Sequence, residues 1–251
     1  MKNKDITAIA SLLAAVLILE IAIRLSSIPN FILPLPSEVL VYIFRNFDFL
    51  SKHIFITLSE VLIGFGISIL VAVMLAVVMI YSKVLERIFL PIIVISQTFP
   101  VIAIAPIIIL WFGFGLLPKI LIIIFISFFP LFMNLMKGFN ITEKNTADLM
   151  ISLNANRNDL LVKIRIPQSL PYFFSGLKSA AILAIIGAVV GEFVSAKYGL
   201  GYLVLIGKAQ IDSNLIFSSL VFLGVLGYSL YSLINLAEVS LLRRFRMKPI
   251  D

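Results

Sequence analysis

Cysteine is absent from the 251 residues, and there is one His and one Trp. Without cysteine there is no disulfide scaffold and no thiolate metal site. His53 alone cannot build a metal site, and no nucleophile, base and orienting group form a catalytic set, so no catalytic residue is assigned. A phosphate-binding Gly-Lys-Ser/Thr loop is missing, which removes that route to nucleotide hydrolysis. Charge is also scarce: Asp, Glu, Lys and Arg make up 13% of the chain, against about a quarter in soluble domains. Asp, Glu and His are too few inside the apolar runs for a membrane enzyme. The paired intramembrane carboxylates and internal repeats of an ion-coupled carrier are not seen either. That secondary transporter is the alternative function class, with a structural membrane scaffold as a third.

What the chain has is apolar length. Hydrophobic residues make up 61% of it, an excess that needs lipid as solvent for much of the surface. A helix crosses the roughly 30 Å hydrocarbon layer with about 20 apolar residues. Six stretches qualify, at 6–25, 61–81, 88–105, 120–136, 172–194 and 215–237. The first is read as a retained span, because it is long for a secretory leader and lacks a convincing cleavage site. The uncharged run 88–118 exceeds one span and carries Pro91, Pro100 and Pro106. It is read as a span ending near Ala105, followed by a broken segment around Trp111-Phe-Gly-Phe-Gly115. Residues 38–49 have apolar side chains at helical spacing, as in a helix lying along an interface. The fold class is therefore all-α: a polytopic, multi-pass membrane protein of six transmembrane helices, forming one domain over 1–251.

The net charge of +7 follows the membrane orientation rule and does not imply nucleic acid. Of the 20 Lys and Arg residues, six (Arg24, Arg45, Lys52, Lys119, Lys197 and Lys208) fall on one side and the other fourteen on the opposite side. The bias puts both termini in the cytoplasm and the polar loop 140–171 with them.

That loop is the most informative stretch. Residues 146–153 have helical periodicity, with Ala147, Met150 and Ile151 on one face. Asn154-Ala155-Asn156 interrupts it, since Asn tolerates the left-handed conformation that ends a helix. Asn158 or Asp159 can cap the next turn. Leu160, Leu161 and Ile164 form a second apolar stripe, and Pro167 and Pro171 are expected to end it before the fifth span. The product is a two-helix elbow on the inner face. Either it covers the bundle at the membrane surface, or it fills a groove on a partner.

The loop resembles the Glu-Ala-Ala…Gly…Ile-x-Leu-Pro motif by which the membrane subunits of ATP-binding-cassette (ABC) importers dock their ATPase. Asp148-Leu149-Met150 occupies the triplet, Asn154 the Gly, and Ile164-Arg165-Ile166-Pro167 the end. Other matches follow in order along the chain: Leu33-Pro34-Leu-Pro36-Ser37, Gln97-Thr98-Phe-Pro100, Trp111-Phe-Gly-Phe-Gly115 and Phe128-Phe129-Pro130. Ser175-Gly176-Leu-Lys178, Gly191-Glu192-Phe193 and Tyr198-Gly-Leu-Gly-Tyr202 complete the series. Together they resemble the nitrate/sulfonate/taurine branch of importer permeases, and within it the permeases for thiamine pyrimidine precursors or riboflavin.

The resemblance implies a type I ABC importer permease (MetI-like) fold in the plasma membrane of a prokaryote. It implies a permease homodimer, two cytoplasmic ATPase subunits that hold ATP and Mg, and an extracytoplasmic solute-binding protein. This chain itself would hold no cofactor and no metal. The docking residues would be Asp148, Leu149, Met150, Asn154, Ala155, Leu160, Ile164 and Pro167.

Candidate pathway residues are Glu192, Gln97 and Thr98. A carboxylate in a span faces a cavity or a partner, or sits at the interface in water. Gln97 and Thr98 can touch solute or satisfy carbonyls freed by Pro100. Glu20 can pair with Arg24, and Glu60 reads as a solvated group near a span end. Trp111, Phe112 and Phe114 read as an interface belt or an aromatic clamp. Gly187 and Gly191 permit close helix approach, between two copies or within one subunit.

Overall fold

The computed structural model of the protein describes residues 2–26, 28–141, 152 and 156–244. Its elements are α1 (Lys2–Leu25), α2 (Pro36–Arg45), α3 (Phe47–Tyr81), α4 (Lys83–Ser96), α5 (Val101–Phe112) and α6 (Leu116–Asn140). A short α7 (Arg157–Leu160) leads through a π turn (Leu161–Arg165) into α8 (Ile166–Ser195), followed by α9 (Leu200–Gln210) and α10 (Ser213–Arg244). Among the described residues there is no strand. Among the described residues, four helical stretches (α3, α6, α7 with α8, and α10) are long and apolar enough to span a membrane, or five if the bent pair α4–α5 is one span. The expected first span forms α1, 24 residues long, enough for about 36 Å at 1.5 Å per residue.

The chain divides into two compact units, Met1–Thr57 with Lys197–Gly224, and Leu58–Ala196 with Val225–Asp251. In the first, Glu20 pairs with Arg24 at 2.7 Å and accepts from the Ser37 N–H at 3.1 Å and its hydroxyl at 2.8 Å. One carboxylate thus holds the start of α2. Two side chains one turn apart on α3 cap α9: the Gly199 N–H donates to His53 Nδ1 at 3.0 Å and the Leu200 N–H to Thr57 Oγ1 at 2.8 Å. These satisfy N–H groups that a helix start leaves without intrahelical partners. His53 also stacks on Tyr202, with ring centroids 6.3 Å apart. Nearby, Tyr42 donates to Asp212 at 3.4 Å; burial, and then that carboxylate, push its phenol up.

In the second unit α6 lies along α8. Gly187 and Gly191 serve this contact within one subunit: a Cβ at Gly187 would stand 2.9 Å from Ile123 Cα, and one at Gly191 3.1 Å from Lys119 Cα. Backbone cannot yield as a side-chain tip can. G187A is therefore expected to destabilise the protein by about 1–3 kcal/mol, read as a lower unfolding midpoint of the purified protein in detergent. Ala105, Ile108, Ile122 and Val190, from α5, α6 and α8, form a buried core beside this seam.

At three boundaries the structure differs from expectation. The helix that carries the second span extends back to Phe47, beyond the apolar run 61–81, and its polar side chains there are satisfied: His53 and Thr57 cap α9, and Glu60 is ion-paired. The third run breaks at Gln97–Pro100, before Ala105, with α4 and α5 meeting at 102°. Pro100 supplies no N–H. The Ser96 and Thr98 hydroxyls each donate at 2.7 Å to the carbonyls of Ile93 and Ile95, closing the end of α4. Pro106, by contrast, sits inside α5, which ends at Phe112 where Gly113 takes φ 77°. Finally, Pro167 and Pro171 do not interrupt the chain before the fifth span. Pro167 directly follows the π turn, in which the Ile166 N–H reaches the Leu161 carbonyl, and the helical path continues through it.

Candidate functional site

The second arm of the elbow is built by local chemistry. The Asp159 N–H donates to Asn156 Oδ1 at 2.8 Å and the Asn156 N–H to Asp159 Oδ2 at 3.2 Å. This reciprocal pair is a capping box with Asn156 as the cap. Asn158 accepts from the Tyr81 hydroxyl at 2.7 Å, tying α7 to the end of α3. Lys163 pairs with Asp159 one turn back at 2.6 Å. The arm is continuous with α8, so a force on it reaches the helix packed against α6.

Of the proposed docking residues, Asp148, Leu149, Met150, Asn154 and Ala155 lie outside the described residues, as do Ala147 and Ile151. Leu160, Ile164 and Pro167 are described, and each is half-buried. Leu161 is buried, so that stripe turns partly toward its own chain. The outward apolar pair is Val162, 59% exposed, and Ile166, 39% exposed. Sequence reasoning had Ile166 only as part of the motif's end and did not single out Val162. Their four-residue spacing was the available signal.

Besides Lys163–Asp159, two ion pairs among the described residues join helices of the second unit. Glu60, on α3, pairs with Lys119 at the start of α6; both are buried. The reading of Glu60 as a solvated group is thereby corrected: it binds an ammonium from another helix. Lys178 of α8 binds Glu238 of α10 at 2.7 Å, and the Tyr231 ring, two turns before Glu238, lies 5.9 Å from the ammonium. One oxygen of each carboxylate, Glu60 Oε2 and Glu238 Oε1, is buried without a hydrogen-bond partner.

Glu192 is fully buried, next in sequence to the Gly191 that packs on Lys119. It is not at a water-exposed interface, and it has an interaction partner. The Gln97 side-chain amide donates weakly to the Phe125 carbonyl at 3.4 Å. Trp111, Phe112 and Phe114 are all exposed, as in an interface belt. Among the described residues no cluster of His, Asp and Glu could hold a metal.

Long apolar helices, one pair bent at a proline, and ion pairs between helices define a polytopic α-helical membrane protein. A family model described as the inner membrane component of binding-protein-dependent transport systems matches residues 64–247, and the chain belongs to that family. A probable ABC transporter permease of Haemophilus influenzae is 37% identical, over 86% of this chain and 88% of that one. A formylaminopyrimidine transport permease of Halalkalibacterium halodurans is 34% identical over 92% of each chain. A riboflavin transport system permease of Chloroflexus aurantiacus is 35% identical, over 89% of this chain and 84% of its own. The fold is similar to a chain of the MetNI methionine ABC transporter in inward-facing conformations, with TM-score 0.63 and 18% identity, over 77% of this chain and 94% of that one. The protein is a membrane-spanning permease of the ABC importer class.

Proposed function

We propose that the chain conducts a small nitrogen-heterocyclic solute of the pyrimidine or flavin type across a prokaryotic plasma membrane, with both termini in the cytoplasm. The observation that carries this solute class is the 34–35% identity, over nearly the whole chain, to permeases named for formylaminopyrimidine and riboflavin. Relatives named for sulfonates, taurine and nitrate are 24–27% identical. Two copies of the permease form the pathway. Two separate ATP-binding subunits, which hold ATP and Mg, dock at 140–171, and an extracytoplasmic protein delivers the solute. The chain itself performs no hydrolysis. ATP-driven closure of the ATPases moves the arm, and α8 carries the movement to α6. Transport is vectorial because solute binds the two resulting states differently. The continuity of α7, the π turn and α8 supports this mechanical route.

The solute class is tested by binding and uptake. The cognate binding protein is titrated with formylaminopyrimidine, riboflavin, taurine and nitrate, and uptake of each is followed in vesicles holding the assembled importer. Uptake of a heterocycle alone is expected; transport of nitrate or taurine instead would overturn it.

Glu192 is proposed to act in translocation. E192Q is expected to lower uptake while the ATPase still co-purifies in normal amount. Equal loss of uptake and assembly would make it a packing residue.

A further inference from the structure

A cavity of about 540 Å³ opens where the elbow arm meets the turn between α3 and α4. Its walls are Tyr81, Ser82, Lys83, Leu160, Leu161 and Arg165, with Val84 at the side. Two cations enter it, and among the described residues lining it there is no carboxylate. Arg165 Nε is buried without a hydrogen-bond partner. The other nearby cation of the arm, Lys163, is engaged with Asp159 and is not among the lining residues. Ser82 caps α4, its hydroxyl accepting from the Leu85 N–H at 3.3 Å, so the positive end of a 14-residue helix also faces this corner. The leucines and Val84, itself 66% exposed, give one side of the cavity an aliphatic character.

We propose that this cavity is a binding site for the phosphate headgroup of an anionic phospholipid, held by Arg165 and Lys83. A guanidinium and an ammonium lining the same cavity complement a phosphate diester, and the aliphatic residues accommodate the start of an acyl chain. Basic pockets between helices at the cytoplasmic membrane surface take such headgroups. Leu160, Leu161 and Arg165 belong to the docking arm or its π turn, so a bound lipid braces the arm against the α3–α4 corner.

The test uses the full-length protein purified in detergent and incubated with vesicles of equal phosphatidylglycerol and phosphatidylcholine. Co-purifying lipid is measured by mass spectrometry. The wild type is expected to retain phosphatidylglycerol selectively, and K83Q and R165Q each to weaken retention roughly fivefold, the factor expected for one basic group near an anionic surface. Lys83 is exposed, so K83Q preserves the test if R165Q fails to fold. Equal retention by wild type and K83Q, or by all three proteins, would overturn the site. Complete displacement of the lipid by millimolar inorganic phosphate would overturn the lipid assignment in favour of a soluble anion. The readout needs no ATPase, so its failure and that of the importer reading are separable.

Discussion

K178M is expected to destabilise the protein by about 3–5 kcal/mol, the usual cost of stripping one partner from a buried ion pair. Glu238 has no exposed surface, and its Oε1 already lacks a hydrogen-bond partner. Removing the ammonium leaves the fully buried Glu238 carboxylate with no compensating charge. The double variant K178M/E238M is expected to recover most of the loss. An apolar pair of similar volume is commonly as stable as the ion pair it replaces. Unfolding midpoints of wild type, both single variants and the double variant in one detergent give the coupling directly. A silent K178M, or a double variant worse than either single, would contradict a buried Lys178–Glu238 pair.

The second large effect concerns the docking arm. V162E is expected to weaken association with the ATPase by at least about 2 kcal/mol, roughly thirtyfold, because the new carboxylate must be buried in the contact. Val162 is 59% exposed, so the same change leaves the subunit's own packing intact. L160E strikes a half-buried position, so it is expected to lose both association and some stability. D148R probes the first arm of the loop and is expected to lose association alone. Pull-down of the ATPase, beside the unfolding midpoint of each variant, separates these outcomes. Normal association of V162E would show that the exposed face of the arm is not the contact.

Apolar runs and charge bias were enough to read the fold class, because spans and their flanks are properties of contiguous sequence. The second arm of the expected elbow was legible too, from helical spacing around Leu160 and Ile164; its first arm lies outside the described residues. Limits set by polar residues or prolines were less reliable. Whether His53 or Glu60 ends a span depends on a partner elsewhere: Gly199 is 146 residues from His53, and Lys119 is 59 residues from Glu60. No local pattern carries such a pairing.

Pro91, Pro100, Pro106, Pro167 and Pro171 look alike in sequence, yet only Pro100 marks a break between helices. There the flanking Ser96 and Thr98 hydroxyls close the preceding helix, whereas the π turn accommodates the segment before Pro167. Gly187 and Gly191 were recognisable as close-approach positions. Their partner, α6 of the same subunit, became evident only from the packing.

The central claim is that a separate ATPase moves this permease through the arm that continues into α8. Solute uptake into proteoliposomes containing the chain, its ATPase and its binding protein tests it most directly. The account predicts uptake that requires ATP hydrolysis and is lost in V162E, while V162E retains the wild-type unfolding midpoint. Undiminished uptake by the chain alone, driven by an ion gradient with no ATPase present, would contradict it.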